Sequence, residues 1–140
     1  EGAAEYMAQR TGEALRLRGR LPTDPRFPGE PWRARDRMAQ KMRSGLAMRA
    51  ERPGLTLGEI EYGPDGQIAY DLGAWAIAWL CHRAGPDVLI QRFYPRVEAL
   101  GWSRAFEEAF GLTPAAFYAE FDLFLELGRE QHLALLASRG

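Results

Sequence analysis

The chain is poor in the side chains from which covalent cross-links and metal sites are built. Its one cysteine, Cys81, excludes an internal disulfide, and a place beside Trp79 and Leu80 in an apolar run marks a small buried hydrophobe rather than a reactive thiol. Only two histidines occur, His82 and His132, and at 50 positions apart no helix presents them to one metal as an i, i+4 pair. His82 is expected at a helix C-terminus against the last carbonyls, and His132 at the surface. A single lysine, Lys41, stands against seventeen arginines, a ratio that points to coding bias. Long apolar runs are missing too: the longest, 72–81, is about half of what a bilayer span needs, so no transmembrane segment is expected. The chain opens on Glu1 rather than Met, which is read as a cut from a longer polypeptide, with any signal peptide or anchor upstream.

What is present suits a folded domain. With 46% apolar residues and four Trp, the 140 residues are read as one globular helical domain, 1–140, and as a fragment of a larger one. Net charge is −1 but unevenly spread: positions 10–52 hold twelve basic and five acidic residues, the remainder six and fourteen. Such asymmetry is one mark of nucleic-acid binding. Here the arginines are interleaved with Pro and Gly, then with Met38, Met42 and Leu46, and no nucleic-acid fold motif accompanies them, so no nucleic-acid partner is expected.

Periodicity predicts an all-α chain. A first helix over 1–18 carries Ala3, Ala4, Met7, Ala14, Leu15 and Leu17 as its apolar side. Four Pro and a Gly make 21–31 a loop. Helix 32–50 follows, with Met38, Met42 and Leu46 at i, i+4, i+8, and Pro53-Gly54 stops it. Thr56 and Glu59 fit a capping box opening one or two turns, 63–66 is a turn, and a period-2 pattern over 55–62 is weak. The stretch 67–84 has no polar face, the pattern of a buried helix. Gly85-Pro86-Asp87 starts the next, 87–100, with Val88, Leu89, Phe93 and Val97 inward and a kink or break expected at Pro95. Ser103 is read as the cap of a short helix that ends at Gly111, and Thr113-Pro114 as N-cap and N1 of the last. That helix carries Phe117, Phe121, Phe124 and Leu125 on one stripe and is broken near Gly128 before 131–138.

Two short segments point to chemistry. Glu1-Gly2-Ala3-Ala4 opens a helix, and Tyr70-Asp71-Leu72-Gly73 opens the buried one. From the residues alone, Glu1 is equally an acidic helix start favoured by the dipole, and Tyr70 a core tyrosine bonded to a carbonyl. Gly73, on the face of Tyr70, removes a side chain where something approaches closely. Together with the later Trp102-x-x-Ala-Phe-Glu-Glu-Ala-Phe-Gly-Leu-Thr113 and Phe117-Tyr-Ala-Glu-Phe121 segments, the pair resembles the C-terminal part of gluzincin zinc metallopeptidases, of the peptidase MA-like and aminopeptidase N-like kind.

That resemblance implies the C-terminal helical subdomain of a thermolysin-like metallopeptidase domain. Glu1 would be the third zinc ligand, Tyr70 the donor that stabilises the tetrahedral oxyanion, and Glu5, one turn after Glu1, a carboxylate beside the ligand or merely a solvated one. Against Gly73 the family sets substrate or the metal-site helix. Catalytic zinc takes two His and one Glu here, with a separate Glu as general base, all but Glu1 from H-E-x-x-H. That segment is absent, so the chain alone is expected to be inactive and to hold no zinc. The complete parent would act on peptide substrates and supply the upstream half of the domain. The alternative is a non-enzymatic helical module that binds a protein partner.

Overall fold

The computed structural model of the protein describes residues 1–21, 33–61 and 63–137. Among them the chain is all-helical, with seven α-helices and no strand. They are α1 (Gly2–Leu17), α2 (Ala34–Ala50), α3 (Gly66–Ala84), α4 (Tyr94–Leu100), α5 (Trp102–Phe110), α6 (Pro114–Leu125) and α7 (Arg129–Ala137); a 3-10 turn, Leu57–Glu59, precedes α3 and a π turn, Leu89–Phe93, precedes α4. The predicted loop 21–31 lies almost wholly outside the described residues, as do Trp32, Tyr62 and Ser138.

α3 is the axis of the fold, because its sequence is apolar on every side and only burial on every side satisfies it. It touches α1, α2, α5, α7 and the 3-10 turn, and Leu72, Ala74, Trp75 and Ala78 lose nearly all their surface. Trp75 settles the α2–α3 crossing: its ring is fully buried and its indole N–H donates to the Met38 carbonyl at 2.8 Å, so a large apolar area is removed from water with no orphaned donor. Met38 and Met42 are buried beside it, as their spacing predicted.

The second half packs through rings. Phe93 meets Phe106 edge to face at 6.3 Å, Phe106 lies 4.6 Å from Phe110 and 5.6 Å from Phe117, and Phe121 is fully buried between Phe117 and Phe124. Thr113 caps α6 by accepting from the Ala116 N–H at 3.1 Å, and Gly111 ends α5 in the left-handed region at φ 73°, both as the sequence predicts. Pro95 acts through the π turn before it. A proline inside a regular helix has no N–H to donate and strikes the carbonyl one turn back; here the Tyr94 N–H reaches five residues back to Leu89, and the widened turn absorbs the proline.

Three expectations need correction. α1 uses its predicted apolar side only in part: Ala3 packs against the body and Met7 and Leu15 are half-buried, but Ala4 and Ala14 are exposed and Leu17 is 71% exposed, while Gly2 and Tyr6, outside that side, also turn to the body. His132 is buried rather than at the surface, because the break after α6 folds α7 back against α2 and α3. Its ring packs against Trp75 and Phe124, with Nε2 hydrogen-bonded to the Phe124 carbonyl at 2.8 Å. Ser103 caps nothing; Gly101, at φ 78°, holds the N-cap position and Ser103 is the second residue of α5. Trp102 stacks on Phe106 but stays 47% exposed, so it covers the core rather than filling it. Thr56 and Glu59 close the predicted capping box around the 3-10 turn, and the weak period-2 pattern over 55–62 forms no strand among its described residues.

Candidate functional site

The two sequence segments meet where α1 lies along α3. A Cβ on Gly2 would come within 2.4 Å of the Gly73 carbonyl carbon and oxygen, so the two backbones touch without an intervening side chain. Further along α1, Tyr6 lies by Cys81, and Arg10 reaches the Pro86 carbonyl and, at 3.7 Å, Asp87. The order Gly2–Gly73, Tyr6–Cys81, Arg10–Pro86 means that α1 and α3 run side by side in the same direction. Glu1 precedes Gly2 and Tyr70 lies one turn ahead of Gly73 on the same face, so both belong to one end of the helix pair. The close neighbour expected against Gly73 is thus Gly2 itself. Burial keeps the Cys81 thiol protonated, pushed up to about 11, and raises Tyr6 as well.

A polar cleft of about 350 Å³ opens between α1, α2 and α3. The chain's one lysine sits in it. Lys41 Nζ lies 2.8 Å from Glu5 Oε1 and 3.3 Å from Asp71 Oδ1, tying α2 to the helices of both segments at once. The Asp71 side chain is 4% exposed, so its charge has left water and depends on this ammonium. The hydrogen bond from Lys41 holds the Glu5 carboxyl below its ordinary value of 4.5, against the opposing effect of burial. Gln9 Nε2 donates to the same Glu5 oxygen at 3.1 Å, while its own Oε1 is buried without a partner among the described residues. Arg37 and Gln67 complete the walls. Such a cleft offers donors and acceptors for a polar group; Lys41, committed to two carboxylates, is no free nucleophile.

Glu1 is exposed at the N-cap of α1 with no side-chain capping bond, and Tyr70 is half-buried in the second turn of α3 rather than the first. Glu5 is neither solvated nor idle, being held by Lys41 and Gln9. Among the described residues no group of three or more His, Cys, Asp or Glu could hold a metal ion. Glu1 by itself is one donor toward the three protein ligands that catalytic zinc takes. His82 is exposed in the last turn of α3. Among the described residues no helix is long and apolar enough to cross a membrane.

Sequence reasoning missed Lys41 and Asp71. The signal was there in both cases: one lysine among seventeen arginines, and one acid inside a helix with no other polar side chain between Tyr70 and His82. No protein-family model, no curated protein and no solved structure matches the chain.

Proposed function

We propose that this chain is the C-terminal helical part of a gluzincin-type zinc metallopeptidase whose complete form hydrolyses peptide bonds. The observation that supports it is the backbone contact of Gly2 with Gly73 in a parallel helix pair, which brings the Glu1 and Tyr70 segments to one end. On this reading Glu1 is the third zinc ligand of the complete enzyme, and the Tyr70 hydroxyl donates to the oxyanion of the tetrahedral intermediate. The two histidines and the general base come from a helix encoded ahead of Glu1. Lys41 keeps α1 and α3 in register from the α2 side by engaging Glu5 and Asp71 together.

The test is to express the chain with its naturally encoded preceding segment and follow peptide hydrolysis with and without a chelator. An interaction made only in the transition state lowers kcat and leaves substrate binding alone. Tyr70→Phe should therefore lower kcat roughly 100- to 1000-fold with an unchanged melting temperature. A preceding segment without H-E-x-x-H, or a Phe variant that turns over at the unmodified rate, defeats the proposal. Exposure of Ile90, Tyr94 and Trp102 on the π turn, α4 and α5 favours the second reading, a helical protein-interaction module, which is what absence of that segment would leave.

A further inference from the structure

A second, smaller pocket of about 120 Å³ lies on the other side of α2, between α2 and α7. Its wall is apolar: Met42, Trp75 and Leu133 are buried there, and Leu46 and the 44%-exposed Leu127 form its lip. The buried His132 ring closes one side. Two arginines, Arg43 from α2 and Arg129 from α7, also line it. Neither has a carboxylate partner among the described residues, whereas Arg49, Arg52, Arg83 and Arg96 are all ion-paired. Arg129 also opens α7, at the positive end of that helix's dipole.

An open apolar cavity rimmed by two exposed guanidinium groups with no carboxylate partner among the described residues suits a ligand with an apolar body and an anionic head. An empty apolar cavity of roughly 150 Å³ is known to take benzene, so this one suits a single ring or a short branched alkyl group. Arginine forks match the planar geometry of a carboxylate. We infer that this pocket binds a small apolar carboxylic acid, its hydrocarbon part against Leu133, Leu46 and Leu127, over the buried Trp75, and its carboxylate between Arg43 and Arg129. The site is independent of the peptidase proposal, since it uses neither Glu1 nor Tyr70 and faces away from the Lys41 cleft.

Nuclear magnetic resonance titration of the full chain, followed at the Trp75 indole N–H, tests this with benzoate, 3-methylbutanoate and the neutral benzyl alcohol. Expected are saturable shifts at Trp75 and Leu133, with benzoate bound about tenfold or more tightly than the alcohol, as hydrogen bonds to a charged group imply. Arg43→Gln with Arg129→Gln should erase that preference and leave the alcohol's affinity as it was, and Ala39→Phe, which fills the pocket from α2, should abolish both. No saturable shift, equal affinity of acid and alcohol for the unaltered chain, or benzoate binding that survives Ala39→Phe in a folded protein would each overturn the inference. The comparison of acid with alcohol needs no variant and stands even if one fails to fold.

Discussion

Two glycines of α1 and α3 carry opposite demands from the same residue type. Gly2 faces backbone, and a Cβ there would force α1 off Gly73; Gly66 opens α3 with nothing within 4 Å of the added atom. Gly2→Ala should therefore destabilise by about 1–3 kcal/mol, the usual range for overpacking, while Gly66→Ala should stabilise by about 0.4–1 kcal/mol by reducing the freedom of the unfolded chain. Urea midpoints at constant slope measure both, and a common sign would contradict the parallel α1–α3 contact. Lys41 gives a second prediction. Lys41→Met leaves the Asp71 carboxylate buried and unpaired, a change that costs about 3–5 kcal/mol. The Glu5 half of the same interaction has a pH signature. A carboxyl whose folded-state value is depressed contributes stability above its unfolded value of 4.5 and loses it as pH falls through the lower, folded value. Glu5→Gln should flatten the decline of melting temperature below pH 4.5 and leave neutral pH nearly unaffected beyond the lost ion pair. An acid limb of unchanged slope would mean that Lys41 serves Asp71 alone.

At the scale of elements, what the sequence discloses depends on whether a helix buries hydrocarbon. α3 is legible because apolar residues on all sides have one solution, and α6 because Phe117, Phe121, Phe124 and Leu125 repeat at helical spacing. α1 is misread for the complementary reason: the face it buries is Gly2, Ala3, Tyr6 and the stems of Gln9, Arg10 and Glu13, and no hydropathy pattern marks such a face. Glu13 even caps the next helix, accepting from the Ala34 N–H at 3.1 Å, a contact 21 positions apart that periodicity cannot foresee. The Glu1 and Tyr70 segments were legible as short motifs, but their meeting at Gly2 and Gly73 depends on a crossing that exists only in three dimensions. Lys41 stands out as the one lysine among seventeen arginines, but its partners Glu5 and Asp71 lie on two other helices and no spacing announces them. These differences predict a contrast in mutational cost. Leu17→Gln, on the exposed side of α1, should change stability by less than about 0.5 kcal/mol. Thr113→Ala, which strips the cap of α6, should cost about 1 kcal/mol and Thr113→Ser much less. Circular dichroism melts read all three; a Leu17 variant as damaging as the cap variant would restore the apolar side that the sequence first assigns to α1.

For the molecule as a whole, the proposed function requires that zinc affinity not reside in these 140 residues. Binding a catalytic zinc means deprotonated or neutral ligands converging on one point. Of the chain's histidines, one is exposed at the end of α3 and the other is buried against Trp75 with Nε2 on a backbone carbonyl, and among the described residues no group of three or more potential ligands comes together. Calorimetric titration of the 140-residue chain with zinc should thus give no tight one-to-one binding, and Glu1→Gln should change nothing. With the naturally encoded preceding segment attached, a one-to-one site should appear and be lost on Glu1→Gln, because a third ligand that becomes an amide no longer offers the anionic oxygen the metal takes. Two outcomes are informative against the proposal. Tight binding by the chain alone, abolished in the Glu1 variant, would mean that other residues complete a site around Glu1. A longer chain whose zinc affinity ignores Glu1→Gln would detach Glu1 from the metal and leave α1 and α3 as a helix pair joined at two glycines for packing alone.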